Sequence, residues 1–373
     1  MSEKGFLARK DIHGNTQTLK DHLENAAKIA QSFETEYSSI AYFSSLLHDL
    51  GKATQQFQEY LLSDNGARGS VIHAWQGAFK VNDIPVHSPE EKIVQELLEL
   101  VISKHHGDLP DCITQDGMYT FFDRFSQENK DKSEYAYHEV NENLNLLNLP
   151  ISDCFRDAAR ELQCFEEAVK GKVKKRSSLD FFIGLFAKYI FSRLIDSDRL
   201  DAADFEEHTR YDRRETNWSV LIQHFENNML KFDSSSHLDQ MRQRISAGCR
   251  DASDRNTGIY KLAVPTGGGK TLASLNFALH HAQKYKKKRI IYVIPYLSIT
   301  SQTVQTFRSV LDISENSDLL LEHYSSVISD YTENLSLSSS EEQIEREDET
   351  LRERKRATER WDNPIIVTTM VQF

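Results

Sequence analysis

Apolar residues in the first half of the chain recur every three or four positions, which is the spacing of an amphipathic helix. The segments with this spacing are residues 16–33, 40–50, 90–106 and 179–204. In the last segment, Phe186, Ile190, Leu194 and Asp198 fall on one i, i+4 row, so a row predicted to be buried ends in a carboxylate. The pattern predicts an all-α domain.

The second half changes to short apolar runs separated by helical segments. The runs cover residues 258–264, 289–295 and 364–369, and their alternation with helices indicates a doubly wound parallel sheet. The predicted fold class is multidomain, with an all-α domain over residues 1–210, a linker over 211–240 and an incomplete α/β domain over 241–373. A charge-rich insertion over 338–360 is predicted to be a solvated helix.

The net charge of the chain gives only partial information on whether it binds nucleic acid. The net charge of -12 argues against non-specific coating of nucleic acid, but a local basic patch can still bind a polyanion. The basic cluster before the last helix of the first domain is either a solvated loop or a guide for a phosphate backbone. It consists of Lys170, Lys172, Lys174, Lys175 and Arg176.

The four cysteines show neither paired metal-ligand spacing nor a disulfide framework, which indicates a reducing compartment. The N-terminal residues lack the apolar core of a signal peptide. The most apolar stretch, residues 179–194, is interrupted by Lys188 and Arg193 and is too short to span a bilayer. We therefore expect a cytoplasmic protein without a membrane segment.

An imidazole and a carboxylate, His48 and Asp49, stand side by side at the end of the helical run over residues 40–50. Adjacent helical side chains diverge by roughly 100°, so the pair suits a wide site for two metal ions better than a compact site for one. Gly51 would let a substrate backbone or phosphate come close, and Lys52 would hold the phosphate.

Further candidate ligands lie at the ends or on the inner faces of the other predicted helices. Taken singly, each has a structural alternative: a core histidine, a helix contact, cations facing a helix dipole, or a solvated helix end. Taken together, they form the imidazole and carboxylate mixture that divalent metals bind, and two ions would catalyse phosphoester hydrolysis. The predicted set is His22, His48, Asp49, His73, His105, His106 and Asp198, with Asp198 preferred over Asp196 because it continues the apolar row.

A glycine-rich loop, Pro265-Thr266-Gly267-Gly268-Gly269-Lys270-Thr271, follows the first apolar run of the second half and precedes a helix predicted to extend through Ala282. This is the context of a P-loop. Backbone N–H groups would surround the phosphates of ATP, Lys270 would reach the β- and γ-phosphates, and Thr271 would offer its hydroxyl to Mg²⁺. Val264 stands where the stricter pattern has its first glycine.

A histidine-aspartate domain followed by this loop, by Ile294-Pro295-Tyr296 and by Val367-Thr368-Thr369 resembles the nuclease-helicase of type I CRISPR interference systems, in particular its type I-C form. That family joins an all-helical HD phosphohydrolase to two RecA-like superfamily 2 domains. It degrades DNA at targets marked by an RNA-guided surveillance complex. The resemblance therefore implies a metal-dependent nuclease with single-stranded DNA as its substrate and the surveillance complex as its partner.

The resemblance also implies roles for individual residues. His48, Asp49 and Lys52 would be catalytic, and the predicted ligand set would bind Mn, Ni, Co, Fe or Mg. Gln243 would sense adenine. The ATP-binding residues would be Thr266, Gly267, Gly268, Gly269, Lys270 and Thr271, and the residues on the DNA backbone would be Ser298, Thr300, Thr368 and Thr369.

The chain departs from the family pattern at its end, because Phe373 comes before the family's acidic Mg²⁺-binding motif and its second RecA-like domain. We expect residues 1–373 to cleave single-stranded DNA without ATP, to turn over ATP poorly and not to unwind duplexes. Two other functions fit the residues: an HD phosphohydrolase acting on free nucleotides, and a non-catalytic module that docks on a surveillance complex.

Overall fold

The structure is a computed structural model in which the chain forms two compact units, Met1–Asp212 and Arg213–Phe373. The described residues are 5–11, 13–63, 71–112, 115–173, 175–207, 216–232, 235–315, 317–324, 358 and 360–373. Lys174 and nearly all of the predicted insertion over 338–360 lie outside them. Among the described helices, none has both the length and the apolar character needed to cross a bilayer.

Over its described residues the first unit is helical apart from one small hairpin, which the sequence pattern did not predict. Strands β1 (Leu7–Lys10) and β2 (Thr16–Thr18) pair antiparallel. The helices are α1 (Leu19–Ser32), α2 (Ser38–Leu47), α3 (Gln55–Leu62), α4 (Trp75–Asn82), α5 (Pro89–Ser103), α6 (Gln127–Lys130), α7 (Tyr137–Leu147), α8 (Ile151–Lys170) and α9 (Arg176–Glu207). Short 3-10 helices span Leu50–Ala53 and Phe122–Phe125.

Local sequence explains where several of these helices begin. The side chains of Thr18, Thr54 and Ser88 accept hydrogen bonds from backbone N–H groups in the first turns of α1, α3 and α5, which satisfies donors that have no partner within the helix. Helix α1 packs against α2 and α9, α2 packs against α8, and α4 packs against α5. The apolar stripes of these helices thus face one common core.

Residues 115–150, for which the sequence shows no clear periodicity before residue 144, also contribute to this core. Phe121, Phe125 and Tyr135 are buried around Trp75 and Phe79 of α4, with ring centroids 5.1–6.1 Å apart. Aromatic pairs at this separation stabilise a core beyond their area alone. The segment therefore supports the helix that follows His73.

The second unit is an α/β fold with its own core. Its helices are α10 (Trp218–Met229), α11 (His237–Ala252), α12 (Lys270–Lys284) and α13 (Leu297–Leu311), and its strands are β3 (Ile290–Ile294), β4 (Leu320–His323) and β5 (Ile365–Thr369). The three strands are parallel in the order β3-β5-β4. An all-α unit followed by an α/β unit confirms the predicted fold class.

Two segments of the second unit differ from the prediction. Residues 258–264 form no strand. They pair with none of the three strands of the described sheet, and Ile259, Tyr260 and Leu262 are exposed. Helix α10, within the range predicted as a linker, buries Trp218 and Phe225 in the core of the second unit.

Candidate metal centre

The helices of the first unit bring all of the predicted metal ligands together. Their donor atoms form two groups, and within each group these atoms lie within 4.8 Å of one another. We call His22, His48, Asp49 and Asp198 the first ligand group, and Asp49, His73, His105 and His106 the second ligand group. Asp49 belongs to both, so the two groups share one carboxylate.

The shared carboxylate of Asp49 is fully buried and directs one oxygen to each group. Its Oδ2 lies 3.1 Å from His22 Nε2 and 3.3 Å from His48 Nε2. Its Oδ1 lies 3.3 Å from His105 Nε2 and 3.8 Å from His73 Nε2. The residue can therefore bridge two cations.

The end of helix α2 explains how neighbouring residues reach one site. His48 keeps helical dihedrals as the C-cap, but Asp49 has left the helix, with φ -110° and ψ 23°. The predicted divergence of roughly 100° assumed a continuous helix and is wrong here. The two side chains instead meet in the first ligand group.

Most of the histidines are fixed by a bond from the ring nitrogen that faces away from the ligand groups. His48 Nδ1 donates to the Ser45 carbonyl at 2.7 Å, His73 Nδ1 to Val71 at 2.9 Å, and His105 Nδ1 to Ile102 at 2.7 Å. A carbonyl can only accept, so these Nδ1 atoms carry the proton. In the neutral form, a ring with its proton on Nδ1 presents the Nε2 lone pair to the ligand groups.

Electrostatics differ between the two groups. Burial works against the charged form of His48, but Asp49 and Asp198 outweigh it and raise the pKa of His48 to about 10. In the second group, His106 is exposed as a residue, but the desolvation of its ring among the other ligands and the neighbouring His105 lower its pKa to about 4. Burial lowers the pKa of His73. The first group therefore attracts positive charge, and these two histidines of the second group are neutral imidazoles near pH 7.

The pKa of Asp49 is held well below its ordinary value, because Lys52 and His48 outweigh the burial that would raise it. Lys52 Nζ lies 2.6 Å from Asp49 Oδ2, and its side chain is largely buried. In this arrangement Lys52 neutralises the shared carboxylate and lies at the edge of the first ligand group.

Unsatisfied polar atoms at this centre test whether a metal would fit. Among the described residues, neither Asp49 Oδ1 nor His105 Nε2 has a hydrogen-bond partner, and both are buried. A buried polar atom without a partner costs about 1–3 kcal/mol, and a divalent cation would satisfy both atoms. Mixed imidazole and carboxylate donors suit Mn, Fe, Co, Ni or Zn, so the residues fit such an ion.

The space around Gly51 is filled, contrary to the prediction that it admits a substrate. A Cβ added to Gly51 would lie 2.4 Å from the His73 carbonyl oxygen and 2.4 Å from Gln76 Oε1. The glycine instead lets the turn after Asp49 pass beneath the backbone of His73.

Gly77 likewise allows α4 to approach α2, because its Cβ would lie 1.9 Å from the Leu47 carbonyl oxygen. Gly77, four residues after His73, therefore serves the close packing of these two helices.

Two charged residues at the centre were not predicted from the sequence. Arg9 on β1 places Nη2 at 3.4 Å from Asp198 Oδ1 and 3.1 Å from His22 Nδ1. Asp201 on α9 lies three positions after Asp198, and its Oδ2 is 2.6 Å from His22 Nδ1. The spacing of three from Asp198 was the available signal for Asp201.

The predicted ATP loop lies at the N-terminus of α12 in the second unit. Gly267 and Gly269 adopt left-handed conformations, with φ +82° and +77°, which a residue with a side chain would adopt only with strain. Lys270 begins the helix, and the Arg242 guanidinium on α11 donates to the Gly267 carbonyl at 2.9 Å. Gln243 lies beside Arg242 on α11.

The residues predicted to contact DNA differ in exposure. Ser298 is exposed, whereas Thr300 and Thr368 are fully buried. Their hydroxyls donate to the carbonyls of Tyr296 and His323 at 3.0 and 2.8 Å. Thr369, at the end of β5, is also buried. In this structure only Ser298 of the predicted set presents an exposed side chain.

Comparison with solved structures gives similar chains, among them several structures of Cas3 from T. fusca. The ATP-bound form is 15% identical with a TM-score of 0.47 and is matched over 99% of this chain and 43% of its own. The form without a named nucleotide is 16% identical with a TM-score of 0.45, over 99% and 43%. The ADP form is 15% identical with a TM-score of 0.47, over 99% and 44%. The chain thus spans less than half of these proteins.

Comparison with protein families gives a match for the second unit. No curated protein sequence matches the chain significantly. Residues 231–373 match the family described as "Type III restriction enzyme, res subunit" (ResIII). The second unit therefore contains a helicase-type domain of the ResIII family.

Proposed function

We propose that the first unit is a metal-dependent nuclease that cleaves single-stranded DNA, and that its nuclease domain lies within residues 1–210. The observation that carries this proposal is the position of Asp49, which faces both ligand groups. A shared carboxylate between two sets of imidazole ligands is suited to a pair of divalent cations. Such a pair promotes phosphoester hydrolysis.

The roles of the residues follow from the two groups. His22, His48, Asp49 and Asp198 would hold one ion, and Asp49, His73, His105 and His106 would hold the other. Bound divalent ions would polarise the phosphate and lower the pKa of a water molecule.

Two positively charged side chains beside the ligand groups would bind the non-bridging oxygens of the phosphodiester. Arg9 is placed by β1 at the first group, and Lys52 is held against Asp49. Guanidinium and ammonium groups both form strong charge-assisted hydrogen bonds with phosphate. They would hold the phosphate in place while a water molecule attacks it.

The helicase-type domain would couple this activity to ATP. The left-handed glycines and the start of α12 at Lys270 support ATP binding with Mg²⁺ at residues 266–271. Ser298 is the residue that we assign to the DNA backbone first, because it is exposed. We further propose that the complete protein acts in the cytoplasm with an RNA-guided surveillance complex of a CRISPR system; its unpaired cysteines agree with a reducing compartment.

The test is cleavage of circular single-stranded DNA by the whole chain in Mn²⁺ or Ni²⁺, with and without a chelator. We expect metal-dependent cleavage that the chelator abolishes and that His48→Ala removes in a folded protein. Free nucleotides are assayed in parallel. Hydrolysis of nucleotides without DNA cleavage would replace the nuclease with a nucleotide phosphohydrolase, and inactivity on both substrates would favour a docking module.

A further inference from the structure

Asp201 is a buried carboxylate next to the metal centre that belongs to neither ligand group. It lies on α9 and is 3% exposed. Its Oδ2 accepts a hydrogen bond from His22 Nδ1 at 2.6 Å. Gln17 Nε2, on β2, donates to both of its oxygens at 2.9 and 3.1 Å. The carboxylate is therefore held in one orientation, with one oxygen aimed at the imidazole.

This partner distinguishes His22 from three other ligand histidines. His48, His73 and His105 donate from Nδ1 to neutral backbone carbonyls, whereas His22 donates to a carboxylate. A carboxylate behind an imidazole fixes its tautomer and makes the opposite nitrogen a stronger ligand. Of these four ligand histidines, His22 is thus the one whose Nδ1 faces a carboxylate.

The two ligand groups also differ in their own charge. The first contains two carboxylates, Asp49 and Asp198, and the second contains only Asp49. In the second group His106 is exposed, whereas His22 and His48 are fully buried. Both differences add to the effect of Asp201 and favour the first group.

We propose that Asp201 is a positioning residue that strengthens His22 as a ligand, so that the first ligand group binds a divalent ion more tightly than the second. The inference rests on the proposed metal centre and assigns the two halves of that centre different affinities. The first ion would be retained at low metal concentration, and the second would exchange.

Asp201→Asn is the sharpest perturbation because it keeps the size of the side chain. The amide oxygen of the variant takes the position of Asp201 Oδ2, where it accepts hydrogen bonds from both His22 Nδ1 and Gln17 Nε2. The variant thus keeps the orientation of the imidazole but removes the negative charge behind it. His22 Nε2 then becomes a weaker metal ligand.

The experiment measures Mn²⁺ affinity by calorimetry in two variants of the whole chain, each of which keeps only one ligand group complete. These two variants are the backgrounds for the further substitutions. His106→Ala leaves only the first group complete, and Asp198→Ala leaves only the second. We expect Asp201→Asn to weaken Mn²⁺ binding about 10- to 100-fold in the first background and to leave it unchanged in the second. Asp180→Asn is the matched control, because it makes the same substitution at an exposed position of α9.

A second variant guards against a folding defect. Gln17→Leu removes the amide that holds Asp201 but keeps the carboxylate, and we expect it to weaken binding in the His106→Ala background alone. Equal weakening in both backgrounds would show a structural role for Asp201, and an unchanged affinity in the first would show no role; either result overturns the inference. Absence of Mn²⁺ binding in both parent backgrounds would overturn the metal centre itself.

Discussion

The substitution Asp49→Asn should separate the proposed two-ion centre from a site that holds one ion. It preserves shape but removes the negative charge that both ligand groups share. The first group keeps Asp198, whereas the second keeps only imidazoles, of which His73 and His106 have lowered pKa values. The second group should therefore lose its ion, and the first should bind its ion more weakly.

The expected loss of activity follows from the role of the shared charge. Removing one preorganised electrostatic group from an active site costs about 10²–10³ in rate, or about 3–4 kcal/mol. Asp49 serves two ions, so at least this loss is expected in the cleavage of circular single-stranded DNA. The fold should survive, because the amide oxygen can still accept a hydrogen bond from Lys52 Nζ, now 2.6 Å from Asp49 Oδ2.

The assay combines Mn²⁺ calorimetry with the rate of DNA cleavage, and circular dichroism reports whether the variant is folded. Asp180→Asn, at an exposed position of α9, serves as the control and should behave as the parent in every measurement. Two undiminished binding events together with full cleavage by a folded Asp49→Asn protein would refute the shared-carboxylate reasoning.

Three further predictions concern α9, α5 and the contact between α4 and α2. Asp198→Asn should lose metal and cleavage, whereas Asp196→Asn should keep most of both, because only Asp198 belongs to a ligand group; the reverse result would contradict the placement of α9. Burial raises the pKa of Glu99 to about 7 from 4.5, so the folded state keeps a proton that the unfolded state releases, and stability should fall by about 3 kcal/mol as pH rises from 4.5 to 7. Glu99→Gln should remove that fall in denaturant unfolding followed by Trp75 fluorescence, with Trp218 and Trp361 replaced by Phe in both proteins; an unchanged pH dependence would exclude the effect. Gly77→Ala should destabilise the first unit by about 1–3 kcal/mol in the same assay, since its Cβ would strike the Leu47 carbonyl, whereas Gly107→Ala, with nothing within 4 Å, should not; equal stability of the two would show that α4 moves freely.

The helices and the clustering of the candidate ligands could be predicted from sequence, because each of these residues lies on, or just beyond, an apolar stripe. Asp198 is an example, since the row through Ile190 and Leu194 is buried and leads to it. The aromatic contacts of residues 115–150 could not be found in this way. Phe125 packs on Trp75 and Phe79, far away in sequence, and local periodicity carries no record of a distant partner.

The strand predicted over residues 258–264 does not form, for a related reason. A short apolar run shows that a segment can pair, but not that it has a partner strand. In the described sheet β3 and β4 are the outer strands, and residues 258–264 pair with neither. Asp201 was missed because a buried carboxylate on a polar helix end resembles a solvated one until its partners, Gln17 and His22, are known.

The histidine-aspartate pair shows how a wrong local geometry can still lead to a correct grouping. The prediction of a wide site assumed that His48 and Asp49 diverge on one helix, yet α2 ends at Leu47 and both side chains reach the first ligand group. The width comes instead from the two oxygens of Asp49, one facing each group. That arrangement requires Asp49 to leave the helix, and the turn that follows requires a residue without a side chain at Gly51, because a Cβ there would strike His73. The glycine after the pair therefore serves the metal centre by shaping the backbone, and its contribution is to the position of Asp49 rather than to substrate access.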